Sequence, residues 1–158
     1  MLQVGQLAPL FDLPDADMEL FSLEQFRARK NVVLYFYPKD DTPGCTMEAI
    51  DFSDMEDEFS SLDTIVVGVS MDECMSHSEF RDKHGLSFSL LADVEGEVCG
   101  NYGVLQDRER DGRHKTCIQR STFIIDKRGT LVHVQYGVSP RGHAAEVLKI
   151  IRSNGKWK

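Results

Sequence analysis

The sequence predicts an α/β protein: a central mixed sheet with helices on both faces. Two continuous apolar runs, NVVLYFY at 31–37 and TIVVGVS at 64–70, read as buried strands. Between them Phe52, Met55, Phe59 and Leu62 recur at helical spacing, with Asp and Glu on the remaining positions. Strand, helix and strand joined by short links imply a right-handed parallel crossover. Further on, STFIID (121–126) and LVHVQY (131–136) flank the turn KRGT, the pattern of a β-hairpin.

The remaining elements fall between and beyond these. A polar helix is predicted from Asp72 as N-cap to Gly85 at its end. A short strand at Ser89–Ala92 follows, then a short helix carrying Val94, Val98 and Tyr102. QDRERDGRHK (106–115) is charged and aperiodic, so a solvated loop is expected there. Ser139-Pro140 reads as the cap and first turn of a closing helix, with Ala144, Val147, Leu148 and Ile151 as its apolar stripe. This order is the thioredoxin arrangement, decorated at the N-terminus and by a strand and helix in the middle.

The totals fit one domain over residues 1–158, large enough to hold its own core. Hydrophobic content of 41% and charged content of 28% are those of a soluble globular chain. A net charge of -8 argues against a nucleic-acid partner. No apolar run reaches the roughly 20 residues of a membrane span, and the start, MLQVGQLAPLFDLPD, has neither the positive nor the apolar region of a signal peptide. A cytoplasmic protein is therefore expected. In that compartment the four cysteines, Cys45, Cys74, Cys99 and Cys117, stay reduced unless they work.

Chemistry gathers at the carboxyl ends of strands in such a sheet, where loops lead into helix N-termini. The stretch YFYPKDDTPGCTMEA (35–49) puts Cys45 at that place. Unpaired N–H groups and the dipole of a helix start favour a thiolate. Thr42 offers a hydroxyl to the sulfur or to a bound oxygen, Pro43-Gly44 allows a sharp turn, and Pro38 ends the strand and roofs one side. Cys45, Ala49 and Phe52 share a helix side, which sends the sulfur inward to the bottom of a narrow pocket for a small polar substrate. Asp40, Asp41 and Glu48 oppose an anion there, so a cation must come from elsewhere. Arg120 is the candidate, because the start of its strand can abut the end of a neighbouring one. A buried free cysteine is usually core filler, but filler needs no Pro-x-x-x-Thr-x-x-Cys spacing at a strand-to-helix junction.

These residues resemble the active-site segment of peroxiredoxins, specifically the peroxiredoxin Q or bacterioferritin comigratory protein group. GQLAPLFDLPD, VVGVSMD and RSTFIIDKRGTLVHV extend the similarity over nearly the whole chain. The resemblance implies a peroxiredoxin-like thioredoxin fold and a thiol peroxidase acting on hydrogen peroxide and small organic hydroperoxides. On this sequence Cys45 would be the peroxidatic residue, with Pro38, Thr42 and Arg120 completing the pocket. It further implies reduction by thioredoxin, with glutaredoxin or a small thiol as alternative, a monomer, and no metal, haem or flavin. Many of the group carry a resolving cysteine five residues after the first, where this chain has Ile50.

Cys74 is the favoured second thiol, since some members carry theirs in this helix, roughly at the position of Arg81, two turns later. Asp72 and Glu73 beside it make it a poor primary nucleophile. Cys117, three residues before Arg120, and Cys99, beside Val98, are the other candidates; a one-cysteine enzyme resolved by an external thiol is the alternative. Rival readings are a zinc site of Cys74, His77, His114 and Cys117, a cysteine hydrolase using one of the five histidines as base, and a redox adaptor that binds partners without consuming peroxide. His133 alternates with Val132 and Val134 and is expected to face solvent.

Overall fold

The computed structural model describes residues 1–153; residues 154–158 of the expected domain lie outside the described part. Five strands form the central sheet: β3 (Asn31–Phe36), β4 (Thr64–Ser70), β5 (Ser89–Ala92), β8 (Ser121–Ile125) and β9 (Leu131–Tyr136), in the order β5-β4-β3-β8-β9. β4 runs parallel to both β3 and β5, whereas β8 is antiparallel to β3 and β9. The apolar run at 31–36 is the middle strand and is buried throughout, which is why it shows no alternation. Its antiparallel register sets Phe36 opposite Ser121, so the end of β3 meets the start of β8.

The two faces of the sheet are covered unequally. On one, Val33, Tyr35, Val66, Leu90 and Ile124 pack against α1 (Pro43–Asp54), α2 (Glu56–Ser61), α3 (Cys74–His84) and α5 (His143–Ser153). On the other, Leu34, Phe36, Val67 and Phe123 meet α4 (Glu97–Asn101) and the N-terminal segment, whose strands β1 (Asp12–Pro14) and β2 (Leu20–Ser22) form a small hairpin. That segment touches both borders of the sheet. Residues 5–8 exchange backbone hydrogen bonds with residues 129–131 at the start of β9, and Asp15 bridges Leu91 on β5.

Several expectations about the elements need correction. The stripe from Phe52 to Leu62 is carried by two helices, because the backbone leaves helical geometry at Met55. Glu56, Asp57 and Glu58 then occupy a fresh first turn, where the helix dipole favours carboxylates, and Phe52 and Phe59 still bury together. Asp72 does not cap α3: its carboxylate accepts from the Ser70 hydroxyl at 2.6 Å and from the Asp40 N–H at 2.9 Å, and Glu73 occupies the cap position. Gly85 does end that helix, at φ +63.

The charged stretch is an antiparallel ribbon, not a loop. β6 (Leu105–Arg110) and β7 (Arg113–Ile118) join at Asp111-Gly112, both at positive φ, the geometry of a two-residue hairpin turn. Finally, α5 begins at His143, three residues after Pro140, although its stripe of Ala144, Val147, Leu148 and Ile151 is buried as expected. His133 is half-buried, with Nε2 3.2 Å from Gln135 Oε1, rather than solvent-facing.

Candidate active site

The loop after β3 lifts the chain out of the sheet and returns it as α1. Thr42 takes the extended backbone of a helix cap, Pro43 occupies the first helical position, and Cys45 sits in the first turn. Packing of α1 against β3 and α5 turns Cys45 inward with Ala49 and Phe52, and the thiol is only 2% exposed.

Arg120 reaches this thiol from the start of β8, as the strand register allows. Its Nη2 donates to Cys45 Sγ at 3.3 Å and its Nη1 to Glu48 Oε1 at 2.7 Å. Glu48 lies one turn after Cys45 on the same inward side and is fully buried. Burial pushes its carboxyl up to about 7 against the pull of Arg120. Its other oxygen, Oε2, is buried without a hydrogen-bond partner among the described residues. Burial alone would loosen the Arg120 proton; Glu48 and then Cys45 outweigh that and hold it more firmly than usual. The guanidinium is thus a permanent cation shared between a carboxylate and a sulfur.

Thr42 does not bond the sulfur. Its hydroxyl donates to the Lys39 carbonyl at 2.9 Å, which leaves the oxygen free to accept. Pro38 ends the strand and is exposed, while Pro140 packs beside Gly44. A Cβ on Gly44 would lie 3.3 Å from Pro140 Cγ and 3.4 Å from Arg120 Nη2, so this glycine is what lets both approach.

Asp40 and Asp41 do not oppose the sulfur as expected; both turn to α3. Asp40 accepts from the Tyr37 hydroxyl, the Ser76 hydroxyl and His77 Nδ1 at 2.6, 2.8 and 2.8 Å. Asp41 binds Lys83 Nζ at 2.7 Å and His84 Nε2 at 2.9 Å. Of the three residues read as repulsive, two are turned away and Glu48 is the holder of the cation. The signal for Glu48 was present in its i, i+3 spacing from Cys45; for Pro140 there was none, since its place depends on the path into α5.

The other cysteines are apart from this arrangement. All four thiols are free. Cys74 opens α3 and is half-buried. Cys117 lies on the ribbon, where Gln106 Nε2 stands 3.8 Å from its sulfur. Cys99 is completely buried in α4. The four proposed zinc ligands are not gathered: among the described residues the cluster of ligand-type atoms is Asp40, Asp72 and His77, without a cysteine. Nor does a histidine serve Cys45. His77, His84, His133 and His143 bond Asp40, Asp41, Gln135 and Thr122, and His114 is exposed on β7. No helix among the described residues is long and apolar enough to cross a membrane.

Comparison with known proteins gives the family and the fold. The AhpC/TSA family matches residues 4–134. Peroxiredoxin Bcp of Bacillus subtilis is 40% identical over 151 residues, 96% of each chain. Among solved structures, Xanthomonas campestris Peroxiredoxin Q superposes with a TM-score of 0.88 at 31% identity, covering 96% of this chain and 99% of that one. The bacterioferritin comigratory protein of the same organism, in a study of its alkyl peroxide reduction activity, gives 0.86 at 32% identity, covering 90% of both. The chain belongs to the AhpC/TSA family, and within it to the peroxiredoxin Q and Bcp group.

Proposed function

We propose that this chain is a thiol-dependent peroxidase in which Cys45 reduces hydrogen peroxide and small organic hydroperoxides. The contact that carries the assignment is Arg120 Nη2 on Cys45 Sγ at 3.3 Å, inside a site that leaves the sulfur 2% exposed. A buried sulfur beside a fixed guanidinium is suited to attack as an anion and to a small substrate.

In the first step the thiolate attacks the hydroperoxide's terminal oxygen. The S–O bond forms as the O–O bond breaks, and the departing alkoxide or hydroxide takes a proton to leave as alcohol or water. Cys45 is then a sulfenic acid, oxidised by two electrons. Negative charge moves from sulfur to the leaving oxygen, and Arg120, already held by Glu48, stabilises it throughout. Thr42 orients the substrate: its proton is committed to Lys39, so its oxygen accepts the O–H of the hydroperoxide. Pro38 starts the loop that sets Thr42, and Pro140 against Gly44 narrows the entrance.

In the second step a thiol attacks the sulfenic sulfur, forming a disulfide and releasing water. Cys74 is our first assignment for that thiol, because it opens the helix to which Asp40 and Asp41 fasten the active-site loop. An external thiol is the alternative. Two electrons from a dithiol, for which we assign thioredoxin, restore both cysteines. We assign the cycle to a monomer in the cytoplasm, where the thiol pool is reducing.

The test is one equivalent of hydrogen peroxide on the reduced protein, followed by intact mass and peptide mapping under non-reducing conditions. Rapid oxidation confined to Cys45 is expected, and the peptide bridged to it names the second thiol. A Cys45 sulfenic acid without a bridge would move resolution to an external thiol. Oxidation of all four cysteines at equal rates would overturn the peroxidase assignment.

A further inference from the structure

The loop between β3 and α1 is fastened to α3 by two consecutive carboxylates, and the two fastenings differ in kind. Asp41 grips Lys83 and His84 at the C-terminal end of α3, with side chains 62%, 43% and 18% exposed for Lys83, Asp41 and His84. Such partly solvated pairs contribute little. Asp40 and His77, by contrast, are buried at 4% and 0% of their side-chain surface. One oxygen of Asp40 accepts from Tyr37; the other accepts from Ser76 and from His77 Nδ1. The opposite ring nitrogen of His77, Nε2, lies 2.9 Å from the Leu91 carbonyl on β5. The two ring nitrogens thus face different elements, Nδ1 the active-site loop and Nε2 the sheet edge. His77 thereby ties the loop to the sheet edge through α3.

What Asp40 holds is the backbone just ahead of the reacting groups. Its own N–H donates to Asp72, two residues before Thr42 and five before Cys45. Thr42 in turn accepts the Thr46 N–H that closes the first turn of α1. A loop released at Asp40 would let Thr42 and Cys45 move together relative to Arg120, whose backbone is held apart from α1 by the start of β8 and by the Val138 N–H. Removing one member of a buried pair leaves the other uncompensated, which is what drives such a release.

We propose that His77 is a positioning residue for the peroxide reaction: by holding Asp40 it fixes the loop 38–42 and so keeps Cys45 and Thr42 aligned with Arg120. This rests on the peroxidase reading of Cys45. His77 is not in contact with the sulfur; it acts through Asp40, with the Tyr37 hydroxyl also 3.3 Å from its Nδ1.

Two substitutions separate its nitrogens. His77→Asn keeps an amide donor near the place of Nδ1, toward Asp40. His77→Gln keeps one near the place of Nε2, toward Leu91, and abandons Asp40. Each protein is assayed twice: for the second-order rate of Cys45 oxidation by hydrogen peroxide, and for the rate of Cys45 alkylation by iodoacetamide without peroxide. Misalignment by about an ångström is enough for His77→Gln to slow peroxide oxidation roughly tenfold or more. The same variant should alkylate faster by roughly threefold, because the released loop uncovers the buried thiol. His77→Asn should stay close to the parent in both assays.

Opposed shifts in His77→Gln with rescue in His77→Asn support the proposal. It is overturned if both rates fall together, if neither changes, or if His77→Asn is the more impaired. Should His77→Gln not fold, Tyr37→Phe removes one bond to Asp40 and leaves His77 in place; it should give the same opposed shifts, only smaller, and no shift overturns the proposal. A parent protein whose Cys45 ignores peroxide would fail the peroxidase reading instead, and the alkylation rates would still decide the role of His77.

Discussion

Cys45 and Cys99 are the same side chain, buried to the same degree, each within the first turn of a helix on this sheet. They are 2% and 0% exposed, in α1 and α4. Their surroundings are opposite in sign. At α4 the carboxylate of Asp93 takes the helix N-terminus for itself, accepting from the Cys99 N–H at 2.7 Å and the Val98 N–H at 3.3 Å. Burial, and then Asp93, push the Cys99 thiol far above its ordinary range. At α1 no side chain caps the helix, since the Thr42 hydroxyl is turned to Lys39, and a guanidinium rests on the sulfur. Neither burial nor a helix start sets the electrostatic surroundings of these two thiols. The group that occupies the helix end, and the charge it brings, do.

The strongest challenge to this contrast is to remove each sulfur. Cys45→Ser should reduce peroxide turnover to background in a thiol-coupled assay. Cys99→Ala should leave turnover near the parent's and lower stability by about 1 kcal/mol in a urea titration, the loss of one small buried group. Equal losses of turnover would dissolve the contrast. Replacing only the charge comes next: Arg120→Met keeps much of the volume and should slow oxidation of Cys45 about 100- to 1000-fold, as losing a preorganised charge donor does. Single-turnover mixing with hydrogen peroxide, quenched and read by mass, gives that rate.

A subtler effect concerns the carboxylate beneath Arg120. Glu48 binds its proton up to about 7 in the fold, against 4.5 for an ordinary glutamate. The folded state therefore holds a proton that the unfolded state has lost between those values. Its contribution is fully present below pH 4.5 and declines as pH rises to about 7, beyond which the loss is complete. That slope amounts to at most on the order of 3 kcal/mol. Glu48→Gln should remove it, so stability measured from pH 5 to 8 should fall less in the variant than in the parent. Parallel curves would mean that Glu48 is ionised throughout. The smallest change expected is Gly44→Ala, whose methyl group would nudge Arg120 and Pro140 by a few tenths of an ångström. A roughly threefold fall in the peroxide rate, with the urea midpoint little changed, is expected from so slight a misalignment; an unchanged rate would show that the guanidinium has slack.

The uneven legibility of the site follows from the same physics. Cys45 and Arg120 could be read because strand patterns and a helix start are local signals, and antiparallel pairing then fixes which strand start meets which strand end. Asp40, Asp41 and Glu48 were read as repulsive because sequence distance carries no direction. Whether a carboxylate faces a sulfur or a neighbouring helix depends on loop conformation, here on Asp41 at φ +60. The ribbon at 105–118 has no apolar alternation to mark it, since β7 is exposed from Arg113 to Thr116; Asp-Gly at its tip marks the turn alone. Pro140 reads as a helix starter because proline fits that position equally well.

The N-terminal segment has a meaning apart from catalysis. By pairing at Leu131 on one border strand and at Leu91 on the other, a single stretch of chain covers part of both open edges of the sheet. Unpaired strand edges are where sheets of separate molecules join and aggregate. Loss of this stretch by proteolytic nicking would bare the two edges at once, giving each molecule two sticky sides, enough to propagate a fibre where one would only make pairs.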